Sequence, residues 1–264
     1  MDCTLVVNSC DAYSDTWFPF FHCLEEYWKD CPYPIVLNTE SKHFEYDGFD
    51  IKQYKLYPNH KIKWSRMLKE TLKRIDTKYV LLTQDDYWLE DVVDQDKVEQ
   101  CLKWMEQDDN IAVFSFMPAH TPNIKNDKYS GFELRPRNGT YRFNCQIAVW
   151  RRERLIKFLG SFYSPWEWEI YGSFAGRVYK DEFYVVSNGD PLIFKYYRGG
   201  ALRRGKWIRS VVIPIVTKFN FDIDFSFRGF DEETENTNDI KQYSILLRFA
   251  CRVRAFFKVL LAFI

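Results

Sequence analysis

The chain has no C-x-x-C pair, no basic leader ahead of a long apolar core, no apolar run long enough to cross a bilayer, and no net charge. Each absence excludes something. Cys3, Cys10, Cys23, Cys31, Cys101, Cys145 and Cys251 are odd in number and scattered, which argues against a zinc or thioredoxin-like site. They read as reduced, mostly buried thiols of a cytosolic protein. Lys plus Arg and Asp plus Glu both number 37, so any basic partner surface is local and nucleic acid is not expected. Met1–Ser9 enters directly on a strand-like run, so a signal peptide is not expected, and Asn138-Gly139-Thr140 reads as a tight turn. His22, His43, His60 and His120 lack metal-ligand spacing and read as surface or packing residues; His120, in a long loop, is the one worth testing. No repeat and no low-complexity tract is visible.

What is present is a globular composition, 46% apolar and 28% charged over 264 residues. That length fits one large domain, or one domain with a C-terminal extension. Aromatic residues make up 19%, with 9 Trp, 17 Tyr and 23 Phe. Most serve core packing on this reading, and some are expected to line a sugar site, where ring faces stack on apolar sugar faces.

Short apolar runs alternate with helical patterns. Thr4–Asn8, Pro34–Asn38, Ile51–Leu56, Tyr79–Thr83 and Ile111–Phe116 read as strands. Thr16–Trp28, Ser65–Ile75 and Val93–Gln107 read as helices. The alternation predicts an α/β fold with a mainly parallel sheet covered on both faces. Pro118–Gly139 is a long excursion of the kind that usually carries function. A strand at Phe143–Trp150, a helix at Glu153–Leu159 and a strand at Phe183–Ser187 follow.

Tyr79–Thr83 runs straight into Gln84-Asp85-Asp86. Two adjacent carboxylates at the carboxyl end of a buried strand need a counter-charge, and a divalent cation such as Mg²⁺ or Mn²⁺ supplies one. The plainer reading is a solvated turn or a cap on the following segment. The stretch Trp64–Glu90 resembles the central part of bacterial GT-A glycosyltransferases in and around family 2, in which a helix with an early Arg leads to a strand ending in an acidic metal motif. Gln84 departs from that motif's first acidic position. The resemblance implies that Asp86 coordinates the metal, Asp85 contacts the ribose or the metal's waters, and Arg66 faces the nucleotide or diphosphate. It also places Ser9, Asp11 and Tyr13 where such enzymes cradle the base, with Asn38 a weaker candidate. An ordinary βα loop, with Asp15 or Thr16 as helix cap, explains the same residues.

Ser164-Pro165-Trp166-Glu167-Trp168-Glu169 carries a capping box, with Ser164 as N-cap, Pro165 first and Glu167 third. The segment also resembles the acidic helix start that supplies the general base of inverting GT-A enzymes, which leaves Glu167 and Glu169 as alternatives. Capping already occupies Glu167, so Glu169 is preferred, and Trp166 on its side is expected to stack on the acceptor or to pack in the core. Arg198–Lys206, with Arg203 and Arg204, suits a lid that stabilises the departing nucleoside diphosphate, or else is a solvated loop or a membrane-facing patch. In the tail, Ile240–Ile264 has five basic residues, no acidic ones and one apolar face at helical spacing. An amphipathic helix on an anionic membrane surface is expected there, or a helix packed on protein.

These readings assign residues 1–206 to a GT-A catalytic domain, with a nucleotide-binding half (1–117) and an acceptor-binding half with lid (118–206), and 207–264 to an extension. The expected activity is metal-assisted transfer of a sugar from a nucleotide donor, UDP-linked, to a hydroxyl of a saccharide or lipid-linked acceptor, with inversion; retention is the alternative, because sequence does not fix which face of the anomeric carbon is attacked. The expected location is the cytoplasm, peripheral on the inner face of the membrane. A sugar-phosphate nucleotidyltransferase is disfavoured because Ser9–Tyr13 holds no glycine-rich lysine loop. A non-catalytic nucleotide- or glycan-binding protein of the same fold is the other alternative.

Overall fold

The computed structural model describes residues 2–55, 62–119, 122–162, 164–231 and 257. β1 (Cys3–Asn8) leads through a 3₁₀ turn (Asp11–Thr16) to α1 (Trp17–Trp28), β2 (Ile35–Asn38) and β3 (Ile51–Lys52). α2 (Trp64–Leu72), β4 (Tyr79–Gln84), α3 (Gln95–Gln107) and β5 (Ile111–Ser115) follow. Then come β6 (Phe132–Leu134), β7 (Ala148–Arg151) and α4 (Arg152–Phe158). Short α5 (Pro165–Glu167) runs through a π turn (Trp168–Gly172) into α6 (Ser173–Ala175), before β8 (Glu182–Val186). β9 (Leu202–Arg203), β10 (Lys206–Ile208), α7 (Arg209–Phe219) and β11 (Phe230–Asp231) complete the described chain.

Eight strands form one mixed sheet in the order β3-β2-β1-β4-β7-β5-β8-β6. β7 and β6 run against the other strands, so the sheet is mainly parallel. The apolar runs are continuous because both faces are covered. Leu5, Val7 and Leu81 face a cluster with Phe20, Phe21 and Leu24 of α1, Leu102 and Met105 of α3, and Val212 of α7. Val6, Val80 and Leu82 face the other, with Leu68 and Leu72 of α2, Leu155 and Phe158 of α4, and Trp168. Such positions have no slack: truncating buried Leu81 to Ala costs about 2–5 kcal/mol.

Several expectations change in detail. The strand expected over Phe143–Trp150 forms only from Ala148, and the residues before it run past the carboxyl end of β4. The excursion Pro118–Gly139 contains edge strand β6, paired with β8. The basic loop is largely a hairpin: β9 pairs with β10 across Arg204-Gly205, both at positive φ (54° and 79°), as a two-residue primed turn requires. The domain boundary after residue 206 falls inside β10, and buried Trp207, Ile208, Val211, Val212 and Ile215 belong to the same core as α1 and α3. Residues through Asp231 therefore complete the main domain. The expected helix over Ile240–Ile264 lies outside the described residues apart from Phe257, as do His60 and His120. No helix among the described residues is long and apolar enough to cross a membrane. Cys3, Cys10, Cys23, Cys31, Cys101 and Cys145 are all free thiols.

Candidate active site

Strand order reverses between β1 and β4: the chain steps outward from β1 to β2 and β3, then returns to add β4 on the other side. Loops diverge at such a switch point and leave a crevice at the carboxyl ends of the strands. A cavity of about 500 Å³ sits there, walled by the ends of β1 and β4, the segment before β7, the start of α5 and the loop 198–204.

Its floor is tied by a chain of side-chain hydrogen bonds across three strand ends. Thr71 donates to Asn38 (2.6 Å), Asn38 to Asn8 (2.7 Å), Asn8 to Gln84 (2.9 Å), and Gln84 to the Cys145 carbonyl (3.4 Å). Gln84, in place of the motif's first acid, is thus the bolt between β4 and the segment before β7. Asn38 is buried within this ladder and does not line the cavity.

Asp85 is 5% exposed and accepts hydrogen bonds from Ser9 and from Thr16 (2.9 Å). Trp17 Nε1 donates in turn to Ser9 Oγ (2.6 Å). Ser9 therefore lines the cavity with its hydroxyl committed to Asp85. Thr16 occupies the cap position of α1 but turns its hydroxyl to Asp85 and the Tyr13 carbonyl, while Asp15 pairs with Arg228, so neither caps the helix. Asp86 faces the cavity from the other side. Its backbone carbonyl accepts from Ala201 N (2.7 Å), and its carboxylate is bonded by the Leu202 N–H.

Burial pushes Asp85 up to about 7 and Asp86 well above its ordinary value, the latter helped by the negative charge of Asp85. No described cation pairs with either carboxylate, and Arg228 only moderates both. Two oxygen-donor acids that resist ionising together, both lining the cavity, fit a Mg²⁺ or Mn²⁺ ion whose other ligands come from phosphate and water. The described residues hold no cluster of three or more His, Cys, Asp or Glu that would cage a metal without such help.

Tyr13 and Glu40 line the cavity beside the ends of β1 and β2. Asp11 does not; its carboxylate binds Ser41 and the Lys42 amide (3.1 Å), splinting the loop after β1 to the loop after β2. Burial alone would raise its pKa, and these hydrogen bonds more than offset that and hold it low. Arg66 is exposed on α2, opposite the buried face made by Ser65, Met67, Leu68, Thr71 and Leu72, and lies outside the cavity lining. Trp64 and Met67 of the same helix do line it.

Ser164 caps α5 by accepting from Glu167 N (3.2 Å). The cavity takes Ser164, Pro165, Trp166 and Glu169 and leaves Glu167 out of its lining. Trp166 is 63% exposed at the rim. Glu169 sits on the π turn, accepts from Cys145 N (2.7 Å), and is raised by burial. The cavity thiols of Cys10, pushed up to about 12, and Cys145, pushed well above its ordinary value, are held neutral by burial. Neither is an activated nucleophile. Of the basic hairpin, Arg204 lines the cavity, whereas Arg203 is ion-paired with Asp231 and is not part of the lining.

Four contributors went unseen in the sequence. Glu40 follows β2 by two residues, a position that the strand-end rule alone could have flagged. Arg198 lines the cavity from within the basic loop, where no spacing distinguishes it from its basic neighbours. Gln146 reaches the site only because β7 runs antiparallel. Arg228 stacks on Tyr13 (4.6 Å), pairs with Asp15 (2.5 Å) and donates to the Ala12 and Gly205 carbonyls (2.6 and 3.2 Å), from a segment with no local signal.

No protein-family model matches the chain, and no curated protein matches it. Among solved structures, S. aureus TarS aligns with a TM-score of 0.48 at 12% identity, over 86% of this chain and 41% of TarS. TarS 1-349 in complex with UDP-GlcNAc aligns at 0.47 and 11%, over 86% and 69% of the two chains. The bifunctional IspDF from Campylobacter jejuni aligns at 0.41 and 10%, over 74% and 52%. The chain thus spans less than half the length of the first TarS structure. The resemblance of Trp64–Glu90 to glycosyltransferase family 2 rests on that stretch itself.

Proposed function

We propose that this protein is a GT-A-type glycosyltransferase that moves a sugar from a nucleotide donor, UDP-linked, to a hydroxyl of a saccharide or lipid-linked acceptor. The observation that carries the reading is one cavity, at the switch point of a mainly parallel sheet, with Asp85 and Asp86 on one wall and Glu169 on another. Asp86, with Asp85 behind it, would hold Mn²⁺ or Mg²⁺, which supplies positive charge for a diphosphate leaving group. Tyr13 offers a ring for the base and Glu40 an acceptor for its N–H. Trp166 offers the acceptor sugar a platform beside Glu169.

In the proposed reaction the acceptor oxygen attacks the anomeric carbon and its proton passes to Glu169. The bond from that carbon to the phosphate oxygen breaks, and the nucleoside diphosphate leaves with the electron pair toward Arg204. Attack from the face opposite the leaving group gives inversion.

Release of free nucleoside diphosphate from a panel of UDP-, GDP- and CDP-sugars with Mn²⁺ tests the activity. Calorimetry of UDP with Mn²⁺ against the parent and Asp86→Ala tests the metal assignment. A parent that binds and turns over no member of the panel would overturn the reading, and equal affinity in Asp86→Ala would overturn the metal's place. Peripheral membrane attachment through residues 240–264 is proposed from sequence alone; co-sedimentation with anionic vesicles, weakening as salt rises, tests it.

A further inference from the structure

Tyr87 follows the acidic pair, is 7% exposed, and lines the cavity with its ring stacked on Tyr196 at 4.7 Å. The orientation of the Gln146 amide decides what its hydroxyl does. Gln146 Nε2 lies 3.4 Å from the Arg198 carbonyl and 3.1 Å from the Tyr87 hydroxyl. Flipping the amide would set two carbonyl oxygens against each other, so the NH₂ must face Arg198 and Tyr87. Gln146 Oε1 then accepts from the Tyr196 hydroxyl (3.0 Å), which itself accepts from Ile147 N (3.2 Å). Donation runs one way along this network, and it makes Tyr87 an acceptor toward Gln146. The Tyr87 hydrogen is left over. Among the described residues nothing accepts it.

A buried donor without an acceptor is costly unless a ligand supplies one. Its place narrows what that ligand is. Tyr87 adjoins Asp86 in sequence, and its hydroxyl is held by Gln146, whose neighbour Cys145 holds Glu169 (2.7 Å). The hydroxyl is therefore anchored to the wall that carries the base, one residue beyond the acid on the diphosphate wall.

We propose that the Tyr87 hydroxyl donates a hydrogen bond to a hydroxyl oxygen of the sugar being transferred, and so selects donors bearing a hydroxyl at that ring position. This rests on the glycosyltransferase reading above and adds a specificity-determining residue to it. A site built around a substrate hydroxyl rejects the analogue lacking it far more strongly than an apolar pocket does.

The test is Tyr87→Phe, which keeps the stack on Tyr196 and removes only the hydroxyl. The probes are UDP-glucose and UDP-N-acetylglucosamine, whichever the parent turns over, and the monodeoxy analogues of that donor. The expected result is a loss of about 10- to 100-fold in kcat/KM, with affinity for UDP itself unchanged. One monodeoxy donor should be about as poor with the parent, and no poorer with Tyr87→Phe than the full donor is. Parental kcat/KM in Tyr87→Phe overturns the inference and leaves the glycosyltransferase reading standing. So does a penalty for every deoxy donor that persists in the variant. If the variant does not fold, the parent alone decides, because equal use of all monodeoxy donors also overturns the inference. A parent that uses no nucleotide sugar overturns both.

Discussion

Gly200 packs directly against the carboxylate of Asp86. A Cβ built on Gly200 would lie 2.7 Å from Asp86 Cγ and closer still to Oδ2, and the residue sits at φ +75°. The Gly199-Gly200 pair lets the basic segment close onto the acidic one, where Ala201 N and Leu202 N bind Asp86. The acid proposed to hold the metal is therefore also the peg on which the hairpin hangs.

Gly200→Ala should disturb both roles. The positive φ costs about 1–3 kcal/mol for a residue with a side chain, and the overlap forces Asp86 or the loop to move. UDP affinity in Mn²⁺ should fall by about tenfold or more, while urea unfolding moves by no more than the backbone cost. Parental affinity in Gly200→Ala would count against the close contact.

The raised carboxylates predict an unusual pH dependence. Asp85 is neutral in the folded protein up to about 7, whereas unfolding returns it to its ordinary acidic range. The folded state then binds the extra proton, so this group's contribution to stability falls as pH rises from about 4 to about 7 and is level above. In chelator, the difference in Tm between parent and Asp85→Asn should move against the parent across that window. A flat difference from pH 4.5 to 7.5 would show that Asp85 ionises normally in the fold.

The parts of this arrangement legible in sequence are those a local pattern dictates. β1 and β4 are buried on both faces and so read as apolar runs, and a carboxylate pair at the end of such a run stands out. Ser164 is legible because capping is chemistry within four residues. Arg66 was drawn toward the site by resemblance, but the buried face of α2 turns it to solvent. Pairing at a distance was illegible. Nothing near Gln146 reveals that β7 runs against β4, and Arg228 meets Asp15 across most of the chain. The hairpin read as a flexible lid because glycines and arginines are what a two-residue primed turn and a loop share.

Placement separates the two glutamates of the α5 segment. Glu169→Gln should lower kcat by about 10²-fold or more, with donor affinity nearly unchanged, as removal of a general base does. Glu167→Gln should leave kcat within about twofold. Because burial holds Glu169 above the ordinary carboxylate range, the base is ionised only above that raised value. At saturating donor and Mn²⁺, where Asp85 and Asp86 are already ionised by the bound metal, the acid limb of kcat should therefore lie above pH 4.5, and it should vanish in Glu169→Gln. Equal defects in the two variants, or none in either, would remove the base from Glu169.

Arg228 supplies the last test, because it joins elements that no local interaction joins. Its side chain is 8% exposed, and it fastens the 3₁₀ turn after β1 through Asp15 and Ala12, and the Arg204-Gly205 turn through the Gly205 carbonyl. Its guanidinium also covers one face of Tyr13. Arg228→Ala leaves Asp15 without its partner and frees both turns, and breaking a half-buried, hydrogen-bonded pair from one side costs about 1–3 kcal/mol. Asp15→Ala removes only the ion pair and keeps the cation over Tyr13, so it should cost less. The effect on binding should divide differently. Tyr13 is held in place by the stack, so Arg228→Ala should weaken UDP binding about tenfold, whereas Asp15→Ala should weaken it little. Urea unfolding together with calorimetry for both variants separates the two effects. Equal losses of affinity would mean that Arg228 supports the site through Asp15, and the stack on Tyr13 would lose its part in binding.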